Sequence, residues 1–247
     1  MTDAKRSRGK VPTLCLVDGT ALAYRSHYAF IRRPLTNSRG ENVSAVYGFT
    51  TSLLKLLEER EPDLVAVAFD RPEPTFRHEA YEEYKATRKP PPDEMVDQLP
   101  VIHEVVEAFG VPVIEIPGFE ADDIIGTYAA RAARQGMRCV IVSGDKDFFQ
   151  LVGDGIVVFD PGKGDEYDAE GVEEFFGVPP AQVTEVLGLM GDASDNIPGV
   201  PGIGKKTALQ LIREYGSIED VLASIESIGG KKRRERLAEH AGQALES

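Results

Sequence analysis

The sequence has little cysteine, no long apolar run and fewer positive than negative charges. Its only two cysteines, Cys15 and Cys139, both lie inside short apolar segments. Such cysteines are typical of reduced thiols in a protein core, and no Cys or His spacing matches a zinc site. We therefore expect two buried free thiols, and neither a disulfide scaffold nor a Cys/His metal centre.

No apolar run approaches the roughly 20 residues that a membrane-spanning helix needs. Residues 1–10 are basic, but the apolar segment that follows them is too short for a secretory signal. We interpret residues 1–10 as a disordered tail and expect a cytoplasmic protein. With 42% apolar and 28% charged residues, the composition is that of a globular protein with a sizeable core.

Positive charge is scarce, since 28 Lys and Arg residues stand against 41 Asp and Glu residues. The resulting net charge of −13 disfavours a nucleic-acid partner at first sight, because like charges repel. That repulsion matters only if the acids are spread over the surface. If they gather in one site that binds cations, nucleic acid remains a candidate partner.

Five short β-branched runs alternate with segments of helical period. The predicted strands are 13–17, 64–69, 111–116, 138–143 and 156–159, and the predicted helices between them include 45–60, 97–109 and 122–135. This alternation predicts an α/β fold with a mostly parallel central sheet covered by helices. After about residue 172 the pattern predicts short helices alone, at 180–190, 205–215, 217–225 and 231–240.

Residues 71–98 interrupt the alternation. This segment has prolines at both ends, little core-forming periodicity, and a middle that mixes aromatic with basic residues. Insertions of this length are usually functional or disordered. The predicted organisation is therefore a tail at 1–10, an α/β core over 11–172 that carries the insertion, and a helical subdomain over 173–247.

Acidic residues follow the predicted strands. Seven carboxylates from four segments stand at or just after strand ends: Asp18, Asp70, Glu120, Asp122, Asp123, Asp145 and Asp147. Because the carboxyl ends of parallel strands lie at one edge of a sheet, we expect these side chains to converge there.

Each of these acids alone is a routine turn or helix-capping residue, and acids at the start of 122–135 also suit the helix dipole. Their convergence favours another interpretation, because close carboxylates repel unless cations neutralise them. Oxygen ligands without His or Cys favour hard cations such as Mg²⁺ or Mn²⁺. The sequence therefore predicts a metal site at this edge.

Two other phosphate chemistries are excluded by single residues and spacings. The stretch "LVDGT" resembles the haloacid-dehalogenase phosphatase motif, but Leu16 stands where that motif has its nucleophilic aspartate. The stretch "GIGKKT" lacks the spacing of a P-loop.

A second cluster lies in residues 191–212. Asp192 and Asp195 are one helical turn apart, and a Pro-Gly-x-Pro-Gly-x-Gly turn follows them, before a helix that begins with Lys205 and Lys206. Such a turn presents backbone N–H groups to a phosphate, although a tight interhelical turn also uses glycine for positive φ. We favour a helix–hairpin–helix that grips a DNA backbone without reading its sequence.

With these motifs in view, the chain resembles the 5′ nuclease (flap endonuclease) family, most closely the 5′→3′ exonuclease domains of bacterial DNA polymerase I. The matching segments run in family order and are "LVDGTALAYRSHYA", "AVYGF", "VAFDRPEPTFRHEAYEEYKATR", "PGFEADDIIGTYA", "SGDKDFFQL" and "GDASDNIPGVPGIGKKTA". The resemblance implies a PIN-like core, a helical arch at 71–98 and a C-terminal helix–three-turn–helix (H3TH) subdomain. It also implies a nuclease module that extends somewhat beyond Ser247, either free-standing or fused to a polymerase region.

The resemblance implies roles for individual residues. Nine carboxylates would hold two or more Mg²⁺ or Mn²⁺ ions: Asp18, Asp70, Glu120, Asp122, Asp123, Asp145, Asp147, Asp192 and Asp195. Lys85 and Arg88 would be catalytic residues that steer the scissile phosphate. The DNA-binding residues would be Tyr24, Arg25, Arg77, Tyr84 and Lys89, with Gly199, Gly202, Ile203, Gly204, Lys205, Lys206 and Thr207 in a hairpin that would also bind K⁺.

The implied function is metal-dependent hydrolysis of DNA to 5′-phosphate and 3′-hydroxyl ends during replication and repair. The expected substrate is DNA with a 5′ flap, a nick or a single-stranded 5′ end, and the expected protein is a monomer at the bacterial nucleoid. Two alternatives remain, a PIN-type ribonuclease and a non-catalytic DNA-junction binding module. The basic run 231–236 is either a phosphate contact or a solvated helix face.

Overall fold

The computed structural model describes residues 11–246 and divides them into two compact units. The first unit contains residues 11–71, 91–148 and 153–166, and the second contains 72–90, 149–152 and 167–246. The predicted tail at 1–10 lies outside the described residues. The predicted domains are continuous segments that meet at residue 172, whereas each compact unit combines several separate segments. The predicted boundary stays a prediction.

A mostly parallel sheet organises the first unit, as predicted. Its strands, in the order β3-β2-β1-β4-β5-β6, are β1 (Thr13–Asp18), β2 (Leu64–Ala68), β3 (Val113–Ile114), β4 (Arg138–Val142), β5 (Ile156–Asp160) and β6 (Asp165–Tyr167). The pairs β1–β2, β1–β4, β2–β3 and β4–β5 are all parallel. The ends of β1, β2 and β4 therefore lie at a common edge.

The helices of the described chain cover the sheet and build the second unit. In order they are α1 (Gly19–Ala29), α2 (Ser44–Arg60), α3 (Phe76–Ala80), α4 (Asp93–Val96), α5 (Leu99–Ala108), α6 (Ala121–Arg134), α7 (Ala169–Phe176), α8 (Val183–Met190), α9 (Lys205–Tyr215), α10 (Ile218–Ala223), α11 (Lys231–Glu239) and α12 (Ala241–Glu246). Within residues 11–246, none of them is both long and apolar enough to cross a membrane.

The main core of the first unit lies between the sheet and helices α1, α2 and α5. Val17, Phe49 and Ile102 are fully buried there. Cys15 and Cys139 are buried free thiols, as predicted. Burial raises the pKa of Cys15 to about 11 and the pKa of Cys139 to about 12, so both stay protonated and unreactive at neutral pH.

Helix α1 is an element that apolar periodicity did not predict. It begins directly after β1 at Gly19, where a Cβ atom would lie 2.6 Å from the Phe69 ring. The glycine therefore lets the helix start against the sheet. Its N-cap is Asp18, so the end of β1 and the start of α1 fix one predicted metal ligand between them.

The insertion at 71–98 contains two short helices and contributes to the core at its C-terminal end. Met95, in α4, is fully buried, and Gln98 is buried directly before α5. The Gln98 Oε1 atom accepts hydrogen bonds from the backbone N–H groups of Ala45 (2.9 Å) and Val46 (3.2 Å). Gln98 thereby supplies the cap for α2 that Val43, its N-cap residue, does not provide.

The prediction of helices alone after residue 172 is wrong at one place, because the second unit also contains a short antiparallel pair, β7 (Gly191–Asp192) with β8 (Ile197–Pro198). The helices predicted at 180–190, 205–215, 217–225 and 231–240 are confirmed with shifts of a few residues at their ends. The first of them starts as a 3₁₀ turn, Pro180–Gln182, which continues into α8. Leu189, Ile212 and Leu237 are fully buried within this unit.

We predict that Gln98→Ala lowers the free energy of unfolding by about 1–3 kcal/mol, because two backbone N–H groups of α2 lose their buried acceptor. Urea denaturation followed by circular dichroism measures the change. Gln210→Ala, at an exposed position of α9, is the matched control and should change stability by less than about 0.5 kcal/mol. Equal effects of the two substitutions would contradict the capping role.

Candidate metal centre and nucleic-acid interface

Asp18 is the most constrained of the predicted ligands. Its Oδ1 atom accepts a hydrogen bond from the backbone N–H of Ala21 (2.9 Å), and its Oδ2 atom accepts one from the Ser143 hydroxyl (3.0 Å). Only 5% of Asp18 is exposed. Ser143 follows β4 directly, so the ends of two neighbouring strands hold this carboxyl between them.

The pKa of Asp18 shows that the carboxylates converge. Burial and, to a smaller extent, the negative charges of Asp70 and Asp145 together raise this pKa from 3.8 to about 6, against the two hydrogen bonds that lower it. Carboxyls from the ends of β1, β2 and β4 are therefore close enough to interact electrostatically. A carboxyl with a raised pKa in such a cluster is typical of a functional site.

Asp70 connects the end of β2 to the start of α6. Its backbone N–H donates to the Thr20 hydroxyl (2.9 Å), and its Oδ1 atom accepts from the backbone N–H of Ala121 (2.8 Å). At the same helix start, Glu120 and Asp123 form a reciprocal capping box. The capping role that each acid could have by itself is therefore present, in addition to the convergence at the sheet edge.

Asp145 and Asp147 extend the cluster beyond β4. The backbone N–H of Asp145 donates to the Ser143 hydroxyl (3.1 Å), and that of Asp147 donates to Asp145 Oδ1 (3.0 Å). Ser143 therefore links Asp18 to Asp145. Asp122 lies in the first turn of α6 and is partly exposed.

The donors suit a hard cation, because every predicted ligand is a carboxylate, and the raised pKa of Asp18, which is due first to burial, also contains a contribution from neighbouring carboxylates. Within residues 11–246, however, no three His, Cys, Asp or Glu side chains lie close enough together to enclose a metal ion. Several of these carboxylates instead accept hydrogen bonds from helix starts and turns. The metal-binding role of the nine acids stays a prediction.

Asp192 and Asp195 lie in the second unit, where Asp192 ends β7 and Asp195 lies in the turn between β7 and β8. The Asp192 Oδ1 atom accepts from the backbone N–H of Ser194 (2.6 Å) and, over a longer distance, from that of Asp195 (3.4 Å). Asn196 takes a positive φ of 58° as the turn closes, and its side chain donates to the carbonyl of Glu83 (2.7 Å). Within this unit, the turn is therefore joined to the predicted arch segment.

The two predicted catalytic cations both pair with Asp195. Arg88 forms an ion pair with Asp195 Oδ1, the Lys85 ammonium lies 3.9 Å from Oδ2, and the Tyr84 hydroxyl donates to Oδ2 (3.1 Å). The Lys85 N–H donates to the Asp195 carbonyl (2.8 Å), and Arg88 Nε donates to the Ser194 carbonyl (3.0 Å). A cation or a phosphate at this place would therefore compete with contacts that already exist.

The predicted DNA-binding residues of the first unit have neighbours within that unit. The Tyr24 ring stacks on Tyr28, with 6.4 Å between ring centroids, and packs against the hydrophobic core. An Arg25 nitrogen lies 3.5 Å from an Asp160 carboxylate oxygen. Neither contact tests the predicted role in DNA binding.

The predicted DNA-binding residues of the arch segment differ in exposure. The Arg77 guanidinium lies over the Phe76 ring, 4.7 Å from its centroid, and Lys89 is exposed. Tyr84 is buried, and its ring meets His78 edge-on. For Tyr84 the structure therefore gives a packing role, and its contact with DNA stays a prediction.

The three glycines of the hairpin have different reasons to be glycine. A Cβ atom on Gly199 would lie 2.2 Å from the backbone of Gly191, and Gly202 has a positive φ of 77°. Gly204, the N-cap of α9, has no atom within 4 Å of the place that a Cβ would take. Of these three positions, only Gly204 needs a glycine neither for packing nor for its backbone conformation. The open space beside it is consistent with a ligand that approaches a backbone N–H group.

The remaining hairpin residues separate into buried and exposed. Ile203 is buried and anchors the turn, whereas Lys206 is exposed. The Lys205 ammonium lies over the Phe176 ring, 4.4 Å from its centroid, and the backbone N–H of Thr207 donates to the Gly204 carbonyl (2.9 Å). The helix start thus combines exposed lysine side chains with an open glycine.

Sequence reasoning missed two residues around these clusters, Ser143 and Thr20, and did not single out a third, Arg236. Ser143 joins two acids, and its signal is a polar residue that ends a buried strand. Thr20 receives the Asp70 N–H. Arg236, from the basic run in α11, lies against Gly202, since a Cβ on that glycine would lie 1.8 Å from its guanidinium. Nothing in the local pattern of 231–236 distinguishes Arg236 from its neighbours.

Family comparison agrees with this geometry. A family model of the 5′-3′ exonuclease N-terminal, resolvase-like domain matches residues 13–177, and one of the 5′-3′ exonuclease C-terminal SAM fold matches residues 178–247. The chain belongs to the 5′-3′ exonuclease family. The resemblance described from the sequence motifs is thereby confirmed, and so is the predicted enzyme class, a nuclease.

Individual 5′-3′ exonuclease relatives support the assignment. DNA polymerase I of Bacillus caldotenax is 47% identical over 237 residues, which cover 94% of this chain and 27% of that protein. The chain thus spans about a quarter of the length of the curated relatives that it matches. A zinc-bound 5′-exonuclease of bacteriophage T5 is 24% identical, with a TM-score of 0.81 and coverage of 94% of this chain and 86% of that one.

A further T5 structure is described as a flap endonuclease in a pseudo-enzyme-product complex with DNA and metal ions. It is also 24% identical over 94% of this chain and 86% of that one, with a TM-score of 0.76. At this identity the two T5 structures show the fold alone, and they agree with the predicted fold class.

We predict that Asp18→Asn stabilises the metal-free protein above pH 6. Because the folded-state pKa is raised, the folded protein binds this proton more tightly than the unfolded chain does, so ionisation of Asp18 costs stability as the pH rises from about 4 through 6. A shift of this size corresponds to about 3 kcal/mol at pH 8. Urea denaturation in excess chelator should show a gain at pH 8 that falls by more than half at pH 4.5. A gain independent of pH would contradict the raised pKa.

We also predict that Asp195→Asn makes the arch segment more susceptible to trypsin. The substitution removes the charge that pairs with Lys85 and Arg88, so this segment should open more often and be cut several-fold faster after these two residues. Limited digestion in excess chelator, followed by mass spectrometry, measures the rate. Glu219→Gln, an exposed acid in the first turn of α10, is the control and should leave the rate unchanged. Equal rates for the two variants would refute the proposed restraint.

Proposed function

We propose that this member of the 5′-3′ exonuclease family is a metal-dependent 5′ nuclease that hydrolyses DNA phosphodiesters to 5′-phosphate and 3′-hydroxyl ends. The observation that carries the proposal is the acidic edge, where the pKa of Asp18 responds to carboxylates from two other strand ends. Repelling charges at the ends of parallel strands are explained by a reaction that requires cations.

Two or more Mg²⁺ or Mn²⁺ ions are the proposed cofactors. The first ligand set consists of Asp18, Asp70, Glu120, Asp122 and Asp123, and the second of Asp145, Asp147, Asp192 and Asp195. Bound divalent ions supply Lewis acidity and an activated water in phosphodiester hydrolysis. The oxygen-only donors support this choice of metal, as do the T5 structures that are described with metal ions.

The proposed role of the chain's own cations is to position the substrate. Lys85 and Arg88 would exchange Asp195 for the scissile phosphate, since a phosphate offers both side chains the same kind of anionic partner. The start of α9, with Gly204, Lys205 and Lys206, would hold a phosphate of the duplex backbone, and a K⁺ ion is proposed at this hairpin. Such contacts add affinity without sequence preference.

The proposed substrate is DNA with a 5′ flap, a nick or a single-stranded 5′ end. The T5 flap endonuclease complex contains DNA, which supports this substrate class by analogy of fold. The curated relatives are DNA polymerases I, which support a role in replication and repair and a polymerase region fused to the nuclease. We further propose that the protein acts as a monomer on the bacterial nucleoid in the cytoplasm.

A cleavage assay with Asp145→Asn tests the function. In excess Mg²⁺, we expect this variant to cut 5′-flap DNA about 100-fold more slowly or worse, because weakened metal binding removes several kcal/mol of transition-state stabilisation. DNA binding in chelator should change by less than about threefold, because ionic affinity comes from phosphate contacts with basic residues. Mapping of the product ends should give 5′-phosphates.

The control is Asp154→Asn, an exposed turn residue with a positive φ of 47° that asparagine also adopts readily. It should cleave at the normal rate. Cleavage that persists in excess chelator would overturn the metal requirement. Faster cleavage of single-stranded RNA than of flap DNA would favour a PIN-type ribonuclease, and binding without cleavage by the unchanged protein would favour a junction-binding module.

A further inference from the structure

A cavity of about 720 Å³ lies in the first unit. One wall is the C-terminal half of α2, and another is the turn 161–164 between β5 and β6. Strands β1, β4 and β5 contribute apolar lining through Cys15, Val140 and Phe159. None of the predicted metal ligands lines it, so the cavity is a site separate from the proposed nuclease centre.

Basic side chains dominate the charged lining. Four cations line the cavity, Lys55, Arg60, Arg138 and Lys163, against one lining acid, Glu59. This local excess is notable in a chain with a net charge of −13. A cleft lined mainly by one sign of charge raises the local concentration of counter-ions, and here the counter-ion is an anion.

Carboxylates pair with all four of these cations. Lys55 pairs with the lining acid Glu59 (3.8 Å), and carboxylates outside the lining pair with the other three. Glu166 pairs with Arg138 and also with Arg60, where the shortest distance between nitrogen and oxygen is 2.5 Å. The Arg60 guanidinium also lies 3.7 Å from the centroid of the Phe159 ring. Because packing and ion pairs fix the guanidinium groups, these side chains lose little entropy when an anion binds, although the anion has to compete with Glu166 for them.

Lys163, in the turn 161–164, is held in a similar way. Its ammonium lies 3.3 Å from an Asp160 carboxylate oxygen, and Arg25 approaches the other oxygen of the same carboxylate. Asp160 also accepts the backbone N–H of Gly162 (2.7 Å), which fixes the turn that carries Lys163. The basic lining residues thus come from α2, from the start of β4 and from the turn 161–164, and Cys15, Val140 and Phe159 supply apolar lining.

We propose that this cavity binds a phosphomonoester of mononucleotide size. Its volume falls within the range of about 300–1,000 Å³ typical of small-molecule sites. The basic lining residues suit a phosphate dianion, and the apolar lining residues suit a nucleobase. Inorganic phosphate alone would leave the apolar part of the lining uncovered. The inference does not depend on the nuclease activity, because the lining shares no residue with the acidic edge.

Calorimetric titration with deoxyadenosine monophosphate tests the proposal. The protein is kept in excess chelator, so that no metal at the acidic edge can bind the phosphate. Arg138→Ala and Lys163→Ala should each weaken binding about 3- to 10-fold, and the double variant more than tenfold, because each loses a charged contact. Glu166 keeps Arg60 and Asp160 keeps Arg25 as partners, so the fold should survive both substitutions.

The matched control is Lys231→Ala, which removes an exposed lysine of the second unit that is also paired with a carboxylate, that of Glu235. It should leave the affinity unchanged. Ser52→Tyr, which fills the cavity from α2 without changing the charge, should abolish binding and tests the site even if a charge variant fails to fold.

Three outcomes would overturn the proposal. The first is no binding by the unchanged protein at millimolar nucleotide, and the second is normal affinity in both the double variant and Ser52→Tyr. The third is an equal affinity for inorganic phosphate, which would replace the nucleotide by the free anion. Deoxyadenosine, which lacks the phosphate, should bind more than about tenfold more weakly if the charged walls contribute as proposed.

Discussion

Repulsion among carboxylates at the end of a parallel sheet is the constraint on which the rest of this site depends. The register of β1, β2 and β4 brings Asp18, Asp70 and Asp145 to one edge, where the negative charges of the latter two contribute to the raised pKa of Asp18. Local N–H and O–H donors stabilise the carboxylates, from the start of α1, the start of α6 and Ser143. The starts of α1 and α6 are therefore fixed by Asp18 and Asp70, which are also proposed metal ligands.

In the second unit, basic side chains of the same unit balance the negative charge of an acidic residue. Asp195 has Lys85 and Arg88 beside it, so the predicted arch segment neutralises a predicted metal ligand. Asp195, Lys85 and Arg88, which would contact the metal ions and the substrate in the proposed reaction, thus pair with one another when both are absent. Hydrogen bonds from Tyr84 and the Lys85 backbone give this pairing a defined geometry.

Much of the fold could be predicted from the sequence, because buried strands and the buried faces of helices place apolar residues at short, regular spacings along the chain. Helix α1 could not, since its small and polar residues show no apolar stripe and Gly19 signals a turn. The strand ends identified Asp18 and Asp145, whereas Ser143 and Gln98 act through hydrogen bonds between distant segments. Local patterns do not encode such partners, and they do not encode which member of the run 231–236 lies against the hairpin.

The two buried thiols have a practical consequence. With both cysteines inside the core and protonated at neutral pH, a cysteine introduced at an exposed arch position such as Thr87 would be the single reactive thiol of the chain. A fluorescent or spin label could then be attached there without first removing the native cysteines. The arrangement of the core thus allows the environment of the predicted arch segment to be observed with a single label.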